Sequence, residues 1–429
     1  MHRRVQRYCG LLLILLGAAR ISSAQQPAQP PVPPVQTLTW ENVKERFEQN
    51  NPTLLADKLN IDESKAEEIT AHLRPNPGLA LLSDQITPFN TGQSKSPFQY
   101  LLPSATFSYL HERQHKRELR LESAQKATGI AISTHADLDR TMLFTLRSAF
   151  VSTLQAKAVL QLSTETLAYY DRVLAVSRDR FQAGDIAQID LDRLELQRVQ
   201  YESDLQTAIV NLRTAKIQLR TLLNDLTPID QFDVVGPFDF SDQLTPQDEL
   251  RKIALDTRPD LRAAVEAVDK AQTDHKLAVA NGSTDPTFSF DVGRNPPIDL
   301  YFGVGVSIPL RIFDRNQGEK LRTKLDIDRN QRLLDASRAQ VYSDVDSAYA
   351  TLASNVVLLQ PYKAKYLQQA TRVRDTMTFS YQHGGASLLD FLSAENDYRS
   401  VELSYVNLVG AYLTAAAQLN MAVGREVIQ

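Results

Sequence analysis

One stretch of this chain is written twice. Phe181-Gln-Ala-Gly184-Asp-Ile-Ala-Gln-Ile-Asp190-Leu returns as Tyr381-Gln-His-Gly384-Gly-Ala-Ser-Leu-Leu-Asp390-Phe, 200 residues later. The register holds on both sides: Arg172-Val173 matches Arg372-Val373, Glu195 matches Glu395, Ala215 matches Ala415, and Gln218-Leu219 matches Gln418-Leu419. Further back, Asn51-Pro52-Thr53-Leu54 resembles Arg258-Pro259-Asp260-Leu261, with the offset slipping by a few residues. Self-similarity at a fixed period reports a repeated structural unit. The chain therefore divides into a first repeat, 39–224, and a second, 245–424, with a linker at 225–244 and a tail at 425–429.

Each repeat reads as a helix, two strands, a very long helix, a turn and a final helix. The strands fall at about 78–110 and about 286–310, the turns at 181–186 and 381–386. Leu334, Val341, Val345, Ala348 and Leu352 step by sevens, fours and threes, as do Val401, Tyr405, Leu408, Tyr412, Ala415 and Leu419; such stripes are packing seams. The 16 Gly and 20 Pro leave long stretches free of helix breakers. From about Glu112 to Arg180 and from about Glu319 to Ser380 only Gly129 and Pro361 interrupt the pattern. At ~1.5 Å per residue each stretch spans roughly 100 Å. An extended bundle or tube needs such a length, and a globule does not.

The strands alternate. Phe288, Phe290 and Val292 interleave with Thr287, Ser289 and Asp291; Phe302, Val304, Val306 and Ile308 with Tyr301, Gly303, Gly305 and Ser307; Ala105, Phe107 and Tyr109 with Thr106 and Ser108. Leu79–Leu82 alternates least cleanly. One apolar face and one small or polar face suit a lipid-facing, water-lined barrel wall. Four strands are too few to close a barrel, and an open edge cannot face lipid. A membrane barrel would have to pool strands from several copies, and three copies would give twelve strands. A secreted coiled-coil scaffold, with its sheet on a core, is the structural alternative.

The N-terminus reads as an export signal, 1–24: basic Arg3, Arg4 and Arg7, apolar Leu11–Leu16, and small Ser22-Ser23-Ala24. A Pro-rich linker follows at 25–38. The one cysteine, Cys9, precedes the apolar run, which leaves no disulfide framework. No later segment reads as a transmembrane helix. With 47 Lys+Arg against 51 Asp+Glu, the chain lacks the basic balance of a nucleic-acid binder.

These residues resemble the TolC-like outer-membrane factors of tripartite efflux systems. The resemblance runs through the duplicated plan, the Gly184 and Gly384 turns with the following Asp190 and Asp390, and Ser307-Ile-Pro-Leu-Arg-Ile-Phe-Asp-Arg-Asn-Gln-Gly318. Lys116-Arg117, with Ala124 beyond, is similar to the CzcC-type heavy-metal branch. The resemblance implies a mainly α fold with a small β part: a duplicated long-helix coiled-coil α-barrel plus four transmembrane strands per chain, closing a 12-stranded β-barrel as a homotrimer. It implies an outer-membrane location in a Gram-negative-type bacterium, a long periplasmic extension, and passive export of heavy-metal cations, with drugs or other organic solutes as the alternative cargo. The implied partners are a periplasmic adaptor (membrane fusion protein), an inner-membrane RND pump and outer-membrane lipid. It implies no enzyme, cofactor or resident metal. Adaptor docking falls to the tips, Phe181, Gly184, Tyr381 and Gly384. Asp390 and Asp190 become pore-gate carboxylates, with helix capping the plainer role for Asp190. Ala386 stands where a basic latch residue can occur, and Ser393 where a second acidic ring can occur.

A catalytic rival also stands. His111-Glu112-Arg113-Gln114-His115 fits the H-E-x-x-H pattern of zinc proteases, which places both histidines on one helical face. The pattern needs a third ligand and a cleft, for which His135 and Asp137 are the candidates.

Overall fold

The computed structural model of the chain describes residues 36–86 and 96–428. The export signal, Cys9, the linker before Gln36 and the last residue of the tail lie outside the described residues. The end of the 25–38 linker forms β1 (Gln36–Leu38), and the first repeat contains α1 (Trp40–Asn50), α2 (Pro52–His72), β2 (Gly78–Asp84), β3 (Leu102–Leu110), α3 (Lys116–Ala183) and α4 (Gln188–Leu222). Then come β4 (Phe232–Val234), α5 (Gln247–Thr257), α6 (Pro259–Asn281), β5 (Thr287–Asn295), β6 (Ile298–Ser307), α7 (Gln317–Pro361), α8 (Leu367–Gln382) and α9 (Leu388–Val423).

The first helix of each repeat is two helices, because proline cannot continue the first. Pro52 and Pro259 each open the second helix, where a missing N–H costs nothing. The two joints are tied alike. Asn51 Oδ1 accepts from the backbone of Thr53 and Leu54, while its Nδ2 donates to the Leu222 carbonyl at 2.9 Å. Arg258, buried, donates to Asp344 at 2.8 Å and to the Ala422 carbonyl at 3.3 Å. Residues 222 and 422 are themselves repeat mates, so each joint grips the end of its own repeat's last helix.

The α3 helix runs unbroken for 68 residues, through Gly129. The matching run in the second repeat passes through one π-helical turn, Tyr362–Tyr366, right after Pro361. A π turn absorbs the residue whose i−4 hydrogen bond proline removes.

Three apolar clusters hold the helices. One gathers Phe47, Phe150 and Leu219 of the first repeat with Phe232 and Val234 of the linker; its counterpart gathers Leu250, Val341, Val345, Leu352 and Leu419 in the second repeat. The 225–244 linker is partly built in, since β4 pairs in parallel with β1 and buries Phe232 and Val234. The third cluster lies at the α3–α4 and α8–α9 turns. Toward the sheet the helices instead meet through polar pairs: Thr128 with Glu68 at 2.5 Å, Ser133 with Glu266 at 2.7 Å, and Lys126 with Thr273 at 2.7 Å.

One antiparallel sheet, in the order β2-β3-β5-β6, joins the repeats. Its register puts Leu79, Leu81, Ala105, Phe107, Tyr109, Phe288, Phe290, Phe302, Val304 and Val306 on one face. The opposite face carries Ser104, Thr106, Ser108, Ser289, Asp291, Gly303 and Gly305. Register also resolves the uneven β2: Leu79 and Leu81 join the apolar face and Leu82 lies opposite Ser104. On the polar face a Cβ at Gly305 would come within 2.5 Å of Ser289 Oγ, so a larger residue there would force the Ser289 hydroxyl to turn away.

By length and composition α9 is apolar enough to cross a membrane, contrary to the sequence expectation. Its apolar residues serve packing, and 56% of that window is buried within the chain.

Candidate functional site: the paired helical tips

The α3–α4 and α8–α9 hairpins turn at one end of the molecule and pack together there. Gly184 ends α3 at φ +85°, its N–H on the Arg180 and Phe181 carbonyls; Gly384 repeats the geometry beyond α8 at φ +77°. Left-handed φ strains any residue with a Cβ, which explains both glycines. Tyr381 is buried and stacks on Phe391 at 5.1 Å; Phe391 lies 6.2 Å from Tyr170, itself 4.9 Å from Tyr201. Phe181 packs against the same cluster. Arg180 crosses between the hairpins, donating to the Tyr381 carbonyl at 2.7 Å with its guanidinium 5.5 Å from that ring. Phe181, Gly184, Tyr381 and Gly384 therefore belong to one assembly, with a basic residue bridging it from α3 and none at Ala386.

Both carboxylates lie in the first turn of their helices, as expected, but they differ in how they meet the helix start. Asp390 is exposed and closes a capping box: it donates its backbone N–H to Ser387 Oγ at 3.2 Å, and its carboxylate accepts from the Ser387 hydroxyl at 2.7 Å. Asp190 is half-buried, and its helix begins at Ala187 with no side-chain cap. The sequence carries the signal, since Ser387-x-x-Asp390 is a capping pattern and Ala187-x-x-Asp190 is not.

Beneath the tip lies Glu395, one turn along α9 from Phe391. It is 1% exposed, and neither carboxylate oxygen has a hydrogen-bond partner. Burial pushes its carboxyl up to about 7, against a smaller pull downward from Arg374. In the sequence it is marked only by its match to Glu195. Nothing in that pairing distinguishes the buried carboxylate from its mate, which is about half exposed and held by Arg178 at 2.8 Å.

The H-E-x-x-H segment has no zinc-site geometry. Because α3 begins at Lys116, His111 and His115 share no helical face. The His111 N–H donates to the Pro286 carbonyl at 2.9 Å, Glu112 is held by Arg120, and His115 is exposed with φ +54°. His135 faces Asp57 at 2.8 Å. Among the described residues no group of His, Cys, Asp and Glu is placed to hold a metal ion. Lys116, in the same stretch, is a structural tie. Buried, it reaches the Ser283 carbonyl at 3.0 Å and Asp285 at 2.5 Å, fastening the start of α3 to the strand entry after α6.

Known proteins share this architecture. Residues 250–425 match the family described as Outer membrane efflux protein. In sequence and in fold the chain resembles the TolC-like outer-membrane factors. It is 24% identical, over 90% of both chains, to the cobalt-zinc-cadmium resistance protein CzcC of Cupriavidus metallidurans. It is 21% identical to the outer membrane protein TolC of Escherichia coli, over 70% of this chain and 64% of that one. The solved structure of CusC superposes with a TM-score of 0.75 at 18% identity, covering 94% of this chain and 98% of that one. The outer membrane protein VceC of Vibrio cholerae gives 0.72 at 17% identity, covering 90% and 96%. These relatives are named for the outer membrane, for metal resistance or for a transmembrane channel.

Proposed function

We propose that this chain is the outer-membrane conduit of a tripartite efflux system, a passive homotrimeric tube from periplasm to exterior. One observation carries the reading: a four-stranded sheet, apolar and exposed on one face, polar and glycine-spaced on the other, set on helices of roughly 100 Å. Lipid suits the first face and water the second. Among the described residues both outer strands, β2 and β6, have an unpaired edge, and a lipid-exposed edge is untenable. Three copies supply twelve strands and close the wall. The domain plan follows the two repeats, 39–224 and 245–424, with the tips Phe181–Gly184 and Tyr381–Gly384 as the docking ends for a periplasmic adaptor that links the tube to an RND pump.

The cargo reading is heavy-metal cations, supported by likeness to a protein named for cobalt, zinc and cadmium resistance. Drugs or other organic solutes are the second reading, supported by similar structural likeness to outer-membrane proteins whose names carry no metal. Asp390, exposed at the tip, is the gate carboxylate of choice: three copies form a negative ring that favours cations. Asp390→Asn keeps the backbone half of the capping box while removing the charge. Its expected effect is a reduced cation preference in bilayer recordings; unchanged selectivity would remove Asp390 from the gate. The conduit itself is tested by detergent extraction of exporting cells. A trimer recovered from outer membranes is expected, and a water-soluble monomer would refute the channel.

A further inference from the structure

Glu395 is surrounded by groups that leave its charge unanswered. From α3 come Tyr169 and Tyr170, from α4 Tyr201, from α8 Arg374 and Asp375, and from α9 itself Tyr398. The Tyr201 hydroxyl is buried without a partner as well. Arg374, the cation that acts on Glu395, is committed elsewhere: it pairs with Asp375 at 2.8 Å and stacks at 4.6 Å over Tyr169 and 3.9 Å over Tyr398. Arg399, one turn further along α9, is paired with Asp204. A bare carboxylate in such a place is far costlier than a neutral acid, which the aromatic walls accept.

We propose that Glu395 is a proton-operated latch of the tip: neutral, it lets the α8–α9 hairpin sit against α3 and α4, and ionised, it drives the hairpin off that seat. The direction follows from which state holds the proton more tightly. Burial raises the seated carboxyl from the ordinary 4.5 to about 7, so the seat is strongest below pH 4.5. It weakens as pH rises from there, and the loss is complete once pH has passed about 7. Each unit of that window changes the seated-to-unseated ratio tenfold, so the unseated population grows on the order of a hundredfold across it.

What the latch does for transport rests on the conduit reading; the packing claim does not. The test is hydrogen exchange of the full-length protein in detergent at pH 5.5 and 7.5, corrected for intrinsic exchange and read over 367–395 against the sheet. Wild type is expected to lose tenfold or more of its tip protection at the higher pH. Glu395→Gln, a neutral isostere, should keep acid-like protection at both. Arg374→Gln removes the attracting charge and should move the transition to higher pH. A Gln variant with the wild-type pH response, or a wild type with none, overturns the latch. Intact exchange behaviour without any channel conductance would refute the conduit and leave the latch standing.

Discussion

Ser387 and Ala187 occupy the same place in the two repeats, and that one hydroxyl separates the surroundings of the two tip aspartates. Ser387→Ala should cost the start of α9 about 1 kcal/mol. It should free the Asp390 carboxylate, read as faster amide exchange over 387–391. Ala187→Ser should do the reverse, giving Asp190 the box that Asp390 now has. Both effects were legible in the letters, because capping is local. The burial of Glu395 was not legible. Glu195 and Glu395 sit in similar local contexts, and only the opposing hairpin decides which one loses water. His111 and His115 show the same limit: their spacing promised a shared helical face, but the helix begins only at Lys116, after both of them.

At the level of elements, the alternation along β3, β5 and β6 reads off the sequence and survives pairing intact. For β2 it did not, since Leu79–Leu82 has leucine on both faces, and only pairing with β3 decides which leucines point with the phenylalanines. The proposed lipid face makes a sharp prediction. Val304, 87% exposed, should tolerate Leu and resist charge. Val304→Arg should lower folding stability in bilayers by about 2–4 kcal/mol if it lies near the midplane. Ser289→Asp, on the opposite face, should change stability little and conductance instead. The breaks in the long helices were equally legible at prolines, because proline acts on its own backbone. The pairing of β4 with β1 was invisible, since each is three residues long and they meet across nearly 200 residues.

For the whole molecule, the 200-residue repeat predicted two alike halves, and the matched grips at Asn51 and Arg258 show how far the likeness extends. What one chain cannot display is the partner of its outer surface. Ile189, Leu196, Val210 and Ile217 lie at heptad steps along α4 and are all exposed. An apolar stripe at seven-residue steps, interrupted only by Ser203, is a coiled-coil seam in want of a facing helix. Under the homotrimer proposal, Leu196→Lys with Val210→Lys should shift native mass from trimer toward monomer while each chain keeps its helical circular dichroism. A double variant that stays trimeric would move the subunit seam elsewhere.

The open sheet has a consequence in time. Under the conduit proposal, the chain must carry that greasy face and the two edges left unpaired among the described residues through an aqueous compartment full of identical copies before it meets a bilayer. Edges of that kind recruit any strand they encounter. Survival is then a race between insertion and clumping, and the clumping rate climbs with the square of chain concentration. Overproduction should therefore lose protein steeply, and an escort that covers the sheet in transit should recover it.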